Sequence, residues 1–565
     1  MMGFGRRLAI ASLALVVLAA QAAVAREAGN RPARGTYTAP QSSTLLVDFT
    51  DGTHAIGAEG SACAPNCAND VVVAPGFPNA ACPAPTLDAD GLHISIPSGL
   101  AASQYCSAKV EPGRIGKADY DLSGGSGAGN DFISIEFETE ENASQYNYVS
   151  LWLVDDAGSA YTGGYVNRSQ GVGGYKRPYV TGFINRFSVD TWNVVNSGPA
   201  GWPYKMASIA RMEFRYTVHA TSNGFPTNIT IKRIWKGRAP SLVAFTFDNT
   251  YAGVYTYAYP LLNGLGWKGT LFISGDDWNI AGKFTPANLS TMAAAGWTVG
   301  AQEYLDNEDV NSYQVTATGL VCSGGVATWT EPTTLTLKQC SACAKERPQV
   351  GDVITVRGAL DPKWNGAKTL TFVQSGTATP YFQFSCADNP QTPATGNVSA
   401  SRLTRDEFRQ VINASLLEPS VAAAGAKPYM SYSNGRHNVE TMGWARDAGI
   451  RLARTTRSNI TPLNYVQDPR TLSHWKAQMA MLGVSVDQSS SATILGYATN
   501  TVLYGGLTSI NAHDLVATAA CAPCGQSEAD KQAYEDAILG AGGYLELWRK
   551  GLLDVVSYDQ LYRGL

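Results

Sequence analysis

The chain changes texture along its length. From Ser43 to Trp235, apolar and polar positions alternate in short runs. Phe132-Ile-Ser-Ile-Glu-Phe137 is one such run, and Tyr148-Val-Ser-Leu-Trp-Leu-Val154 is another, closed by the turn residues Asp155-Asp-Ala-Gly158. Arg211-Met-Glu-Phe-Arg-Tyr216 and Asn228-Ile-Thr-Ile-Lys-Arg-Ile-Trp235 repeat the pattern. A period of two with turn residues between the runs predicts an antiparallel β-sandwich, here assigned to residues 41–238. No stretch in this part carries a useful helical period.

After Arg238-Ala-Pro240 the pattern becomes longer and mixed. Ser241-Leu-Val-Ala-Phe-Thr-Phe-Asp-Asn-Thr250 opens apolar throughout, which suits a strand buried on both faces. A helix-like stretch, Val254 to Leu265, follows it. Lys268-Gly-Thr-Leu-Phe-Ile-Ser274 reads as a second strand. Thr285 can cap a helix running to Ala295, and Gly296-Trp-Thr-Val-Gly300 reads as a third strand. Strands alternating with helices predict βα units around a parallel sheet.

The alternation stops near Tyr313. Residues to about Ala400 are again β-type, with Val350 to Gly358 and Trp364 to Val373 as hairpin material. Helical character returns at Leu403-Thr-Arg-Asp-Glu-Phe408, where Thr404 can cap and Glu407 stands at capping-box spacing. Residues 313–401 therefore read as a small β module inserted into an α/β domain made of 239–312 and 402–565. The α/β pattern then continues. Lys427 to Gly435 leads a strand into a turn, Val439 to Ala448 is a helix, and the stretch from Val502 includes a strand ending at His513. Ala529 to Leu552 reads as one or two helical segments, and Leu553 to Ser557 as a last strand.

The ends and the cysteines place the chain in a compartment. Arg6 and Arg7 precede an apolar run from Leu8 to Ala20, and small residues close the segment at Ala25. That order describes a secretory signal peptide over 1–25. Residues 26–40 read as a linker, and no later stretch is apolar for long enough to span a bilayer. The expectation is a secreted or periplasmic protein. A length of 565 residues implies several domains, and a net charge of −4 gives no basic signature of nucleic-acid binding. The ten cysteines form three even groups: Cys63, Cys67, Cys82 and Cys106; Cys322, Cys340, Cys343 and Cys386; Cys521 and Cys524. Even local groups in an exported chain predict disulfides within each group, Cys521 pairing with Cys524. A zinc knuckle on Cys340 and Cys343 is the rival reading, weakened because Cys322 and Cys386 lack Cys-x-x-Cys spacing.

The chemistry-bearing residues lie where predicted strands end. Asp248 and Asn249 close the first α/β strand, and His513 closes a late one. Polar groups at the C-terminal ends of buried strands are where α/β folds place their chemistry. The plain alternative for Asp248-Asn249 is an Asx turn that ends the strand. For the aromatics, Trp152, Tyr165, Tyr175, Tyr179 and Trp202 suit either a sugar platform or core packing.

Residues 241–312 with 402–565 resemble the polysaccharide deacetylase (NodB-like) family of carbohydrate esterases. Thr246-Phe-Asp-Asn249 is similar to that family's Thr-Phe-Asp-Asp motif, and Thr270 to Ser274 to its next strand. Gly296-Trp-Thr-Val-Gly-Ala-Gln-Glu-Tyr-Leu-Asp306 follows the contour of its His-x-x-x-His metal motif. Tyr429 to Gly435 resembles its Phe-Arg-Pro-Pro-Tyr-Gly turn, and Ile510-Asn-Ala-His-Asp514 its late strand with a catalytic histidine. The resemblance implies a distorted (β/α) barrel. It implies hydrolysis of acetyl groups, N-linked or O-linked, on a polysaccharide or cell-wall glycan, with Asp248 as general base and His513 as general acid. It also implies a divalent metal that polarises the carbonyl and acidifies water. The N-terminal segment resembles the jelly-roll modules that accompany secreted carbohydrate enzymes.

The chain departs from the family at the metal positions. Asn249 stands for the second motif aspartate, and Gln302 and Asp306 for the two histidines. Ser431 stands for the motif arginine and Asn434 for the tyrosine. Amide and carboxylate oxygens suit an oxygen-preferring ion better than zinc, so any metal at Asn249, Gln302 and Asp306 is expected to be of that kind, or absent. Tyr432, Asn434 and Arg436 are the substrate-contact candidates. His437 is read as a surface residue, and Glu303 with Asp306 as either site residues or a solvated loop face. Two functions stay open: an acetyl hydrolase with an altered metal site, and an inactive carbohydrate-binding protein on the same fold.

Overall fold

The computed structural model describes most of residues 44–563. Residues 1–43, 74–81, 122–131, 140–147, 168–178, 187–192, 197–207, 218–226, 237–240, 304–318, 331–349, 458–477, 518–527 and several shorter gaps lie outside the described residues. The expected signal peptide and linker fall among them, as do Cys340, Cys343, Cys521 and Cys524.

In the N-terminal part the alternating runs form two sheets. One has six strands, including Gly91–Ile96, Phe132–Thr139 and Thr227–Lys236; the other has seven, including Tyr105–Val110, Tyr148–Asp155 and Ile209–Thr217. Pairing is antiparallel except between Ile56–Ala58 and Val71–Val73. The inward positions of both sheets share one core. Ile94, Ile229, Ile231 and Ile234 come from the first sheet, and Ala108, Leu151, Leu153, Met212 and Phe214 from the second. A disulfide joins Cys82 to Cys106. The period-2 pattern works here because each strand has one face on this core. Of the proposed aromatic platform, Trp152 is half-buried with the Arg215 guanidinium 3.4 Å over its ring. Tyr175 and Trp202 lie outside the described residues, and so do the side chains of Tyr165 and Tyr179.

The α/β part closes into a parallel barrel. In chain order its strands are Ser241–Asp248, Thr270–Ser274, Thr298–Gln302, Tyr429–Ser431, Leu452–Arg457, Met481–Ser485 and Gly506–Ala512. Each pairs with the next, and the seventh returns to the first over Ser241 to Phe247. The first and second strands meet only over Thr246 to Asp248. Below that contact a two-residue strand, Asp554–Val555, pairs with Leu242 and Val243 and widens the seam. The barrel is therefore distorted on the side that carries Asp248.

All eight residues of the first strand are buried, because both faces are covered. Val243, Phe245 and Phe247 point outward into a core shared with the surrounding helices. Leu242 and Ala244 point inward, where Phe272, Tyr429, Leu452, Met481, Leu507 and Tyr558 fill the barrel floor. Tyr558 plugs that floor: its hydroxyl meets Ser509 at 2.9 Å and its ring packs edge-on to Phe272. The predicted cap on the helix Pro286–Ala294 is present, with Thr285 Oγ1 accepting from Asn288 N. The strands Leu452–Arg457 and Met481–Ser485 were not legible in the sequence pattern.

The insertion forms its own six-stranded antiparallel sheet between Leu320 and Ser401, with a core of Trp329, Trp364, Phe382 and Phe384. Cys322 and Cys386 are disulfide-bonded, which removes two of the four thiolates that a zinc knuckle would need. Among the described residues no helix is long and apolar enough to cross a membrane.

Candidate active site at the barrel mouth

The period of two continues up each barrel strand, but the inward residues become polar near the C-terminal ends. Ser274, Gln302, Ser431 and Arg454 form one register row across four adjacent strands. Asp248 stands at the end of the first strand. Phe247 pairs with Ala512, so Asp248 and His513 occupy the next positions on neighbouring strands.

Asp248 is almost wholly buried and is held by two groups. Ser431 Oγ donates to its Oδ1 at 3.3 Å. Arg454 Nη2 donates to Oδ1 at 2.6 Å and also contacts Oδ2. Arg454 is 0% exposed and comes from the fifth strand, so its side chain crosses the barrel interior to reach the first. Its path is made by a glycine. A Cβ on Gly483 would lie 3.0 Å from Arg454 Cδ and 2.7 Å from the Thr455 carbonyl. Phe272 flanks the guanidinium at 5.3 Å. An arginine buried without a carboxylate would be costly, and Asp248 supplies the compensating charge.

The resemblance places an arginine at the position of Ser431. Here the guanidinium comes instead from Arg454, which is the register partner of Ser431 on the adjacent strand. Arg454 thus stands one strand over from that position and at the same height in the barrel.

His513 is held differently. Its Nδ1 bonds Asp487 Oδ2 at 2.5 Å, and its backbone N–H donates to Asp487 Oδ1 at 3.1 Å. Asp487 follows the sixth strand and also accepts from Ser485 Oγ at 2.8 Å. The imidazole keeps 22% of its surface exposed. Burial by itself would lower the His513 pKa. The hydrogen bond and charge of Asp487, helped by the charge of Asp248, outweigh burial and the opposing charge of Arg454, and raise it above the usual value. Asp248 therefore acts electrostatically on His513 as well as standing beside it.

Asn249 and Gln302 lie in the same region. Asn249 adopts φ 59°, the left-handed conformation that asparagine tolerates. Its N–H donates to Gln302 Oε1 at 2.9 Å, and its carbonyl accepts from Lys283 Nζ at 3.0 Å. Lys283 also lies 3.2 Å over the Tyr251 ring. Asp306, Asn434 and Arg436 are outside the described residues.

Tyr432 and His437 depart from their expected surroundings. Tyr432 is 1% exposed and belongs to the core outside the barrel wall, with Met430 and Phe408, not to the rim of the mouth. His437 is not a surface residue. It is buried, stacked on Tyr432 at 5.5 Å, and its Nδ1 donates to the Gly435 carbonyl at 3.0 Å. Burial pulls its pKa down to about 4. Glu303 is also buried, not part of a solvated face. Sequence reasoning missed Arg454 and Asp487. Neither left a local signal: Arg454 lies within Leu452-Ala-Arg-Thr-Thr-Arg457, and Met481-Leu-Gly-Val-Ser-Val-Asp487 is interrupted by Gly483 and Ser485.

The residues described at the implied metal positions do not fit a divalent ion. Gln302 has one oxygen, and that oxygen is engaged by the Asn249 N–H. Asn249 is neutral: Lys283 sits on its backbone carbonyl, and its side-chain Oδ1, buried with no hydrogen-bond partner, is one more uncharged oxygen. The nearby carboxylate, Asp248, is already paired with a guanidinium. Among the described residues no group of three or more His, Cys, Asp or Glu side chains is arranged to hold a metal.

Residues 236–304 match the family model described as polysaccharide deacetylase. That segment carries the first three barrel strands, with Asp248, Asn249 and Gln302. No curated protein matches the chain in sequence. Among solved structures, the chain is similar to the deacetylase domain of BpsB from Bordetella bronchiseptica, at 13% identity over 47% of this chain and 70% of that one, with a TM-score of 0.22. A peptidoglycan deacetylase from Bdellovibrio bacteriovorus gives 12% identity over 56% of this chain and 52% of that one, at 0.23. The chitin deacetylase from Colletotrichum lindemuthianum gives 10% identity over 57% of this chain and 88% of that one, at 0.26. Scores this low say nothing about what this chain acts on.

Proposed function

We propose that the chain is an exported hydrolase that removes acetyl groups from an extracellular or cell-wall glycan. The observation that carries this reading is the pair of clamped groups at the barrel mouth. A carboxylate and an imidazole close adjacent strands, and each is held by an oppositely charged partner. In the reaction, Asp248 takes a proton from water, whose oxygen attacks the acetyl carbon. Arg454 and Ser431 hold the carboxylate in place by hydrogen bonds. Asp487 accepts from Nδ1–H and stabilises the imidazolium of His513, whose Nε2 proton goes to the leaving sugar oxygen or nitrogen. Export is supported by the basic, apolar and small-residue order of the first 25 residues and by the disulfides. The N-terminal sheets are read as a jelly-roll carbohydrate-binding domain that holds the polymer near the barrel.

The test is acetate release from acetylated glycans by the full chain and by Asp248→Asn and His513→Ala. Wild type should release acetate and each variant should lose most of it; His513→Ala should do so with little loss of stability, whereas Asp248→Asn also leaves the buried Arg454 guanidinium uncompensated and should melt earlier. The second reading, a glycan-binding protein without turnover, is favoured by the amide side chains of Asn249 and Gln302 where the family has ligands. Glycan binding without acetate release under every condition tried would select it.

A further inference from the structure

We infer that this centre works without a divalent cation, its positive charges being built into the chain, and that it is suited to acetyl esters over acetyl amides. The inference rests on the hydrolase reading above and extends it to mechanism and substrate class.

Three observations support it together. First, Gln302 offers a single neutral oxygen, which already accepts the Asn249 backbone N–H, and its other terminal group is a cation-repelling NH2. Second, the place is already cationic. Lys283 sits on the Asn249 backbone carbonyl and Arg454 on Asp248, so an added ion would meet like charge. Third, Asn249 is fixed from both sides of its peptide, by Gln302 and by Lys283, which holds its φ of 59°. Together these form a substitute for a metal site: the lattice of hydrogen bonds does the positioning, and the guanidinium supplies the fixed charge.

A centre of this kind lacks a Lewis acid to polarise the carbonyl. Amide resonance then stands unopposed, whereas an ester carbonyl is electrophilic by itself, and the sugar oxygen departs as an alkoxide that an imidazolium can protonate. The step balances without any further reagent. The water oxygen bonds to the acetyl carbon and its proton goes to Asp248. The ester C–O bond breaks, and the His513 Nε2 proton goes to the sugar oxygen. The products are acetate and a free hydroxyl, and the proton on Asp248 passes to solvent as His513 recovers its own.

The experiment uses the full chain purified with and without chelator. Metal content is read by elemental analysis, and melting temperature is read with added Zn²⁺, Mn²⁺, Mg²⁺ or Ca²⁺. Acetate release is read on O-acetylated and N-acetylated glycans in each condition. The expected result is metal well below one ion per chain, no melting shift with any ion, and acetate release from O-acetylated glycan unchanged by chelator. The double variant Asn249→Asp with Gln302→His should gain a zinc-dependent melting shift that wild type lacks; if it does not fold, Lys283→Met with Asn249→Asp is the substitute. Stoichiometric metal in wild type overturns the inference, and so does activity that appears only with an added ion or faster turnover of N-acetyl than of O-acetyl groups. If no substrate is turned over, the hydrolase reading fails, while metal content and melting shifts still decide whether the centre takes an ion.

Discussion

Asp248–Arg454 and His513–Asp487 are both charged pairs at the barrel mouth, yet the fold treats them in opposite ways. In the first pair both partners are buried, and the cation reaches across the barrel from the fifth strand. In the second, the carboxylate is buried and the imidazole keeps 22% of its surface. A buried pair is expensive to separate, so its carboxylate is held in one place. A pair open on one side can exchange a proton directly with substrate or water. The first pair therefore positions its proton-accepting group rigidly, and the second presents its acid to the outside. This asymmetry is what a positioned base and an acid that must reload each require.

The sharpest way to break the comparison is to remove the buried cation. Arg454→Met leaves Asp248 as an uncompensated buried charge, which costs on the order of 3–5 kcal/mol. We expect a fall of that size in unfolding free energy from denaturant titration, together with loss of acetate release. Combining Arg454→Met with Asp248→Asn should restore much of the stability, because the two changes remove a pair and not a partner. A single-variant cost below about 1 kcal/mol, the range of exposed pairs, would show that water reaches the guanidinium.

His513→Ala should separate activity from stability. Loss of a positioned acid typically reduces rate by ~10²–10⁴. The ring is partly exposed and leaves little unsatisfied behind it except Asp487, so the melting temperature should move by only a few degrees. Comparable losses in rate and stability would mean that His513 is a structural clamp for Asp487.

The contrast also explains what could be read from the sequence. Asp248 was legible because it ends an apolar run at the C-terminal side of a strand, where the chain itself marks the change from core to mouth; His513 was legible through the family resemblance of Ile510-Asn-Ala-His-Asp514. The barrel was legible through the alternation of strands and helices before Tyr313 and after Ser401. Arg454 was hidden because its partner is 206 residues away in sequence and its placement depends on register with Ser431. The space left by Gly483 is likewise a tertiary fact. His437 misled because a histidine beside an arginine in a turn looks exposed, whereas packing on Tyr432 buries it. Local pattern reports which face of an element is apolar; it does not report which polar residues are brought together by closing a sheet.

The pH dependence should differ between the two pairs as well. His513 has a raised pKa, so its acid form persists above the ordinary histidine value of about 6.5. Its contribution to stability is fully present below pH about 6.5 and is lost as pH rises through the raised folded value. The alkaline limb of acetate release should accordingly lie above pH about 6.5. Asp487→Asn removes the main stabilising charge and should move that limb to lower pH, with a loss that is largest at alkaline pH and shrinks toward acid. Buried His437 has the opposite sign. Its pKa is held down to about 4, so its stabilising contribution is present above pH about 6.5 and is lost as pH falls toward about 4. A limb unmoved in Asp487→Asn would mean that Asp248, not Asp487, sets the proton affinity of His513.

The smallest effect should come from the insertion. Its six strands between Leu320 and Ser401 pair only with one another among the described residues, and its core of Trp329, Trp364, Phe382 and Phe384 is drawn wholly from within it. It leaves the barrel after Gln302 and returns before the helix Arg405–Leu416, so neither charged pair draws a partner from it. Replacing residues 313–401 with a short glycine–serine linker changes loop-closure entropy only logarithmically with length, about 0.6 kcal/mol per doubling. The barrel should then keep a cooperative melt, and the pH limb set by His513 and Asp487 should stay in place. Turnover of a small acetylated sugar should change little, while turnover of polymer is free to fall if the module helps to hold it. Loss of the cooperative melt would show that the segment completes the barrel core, and an altered pH limb would show that it shields His513 from water.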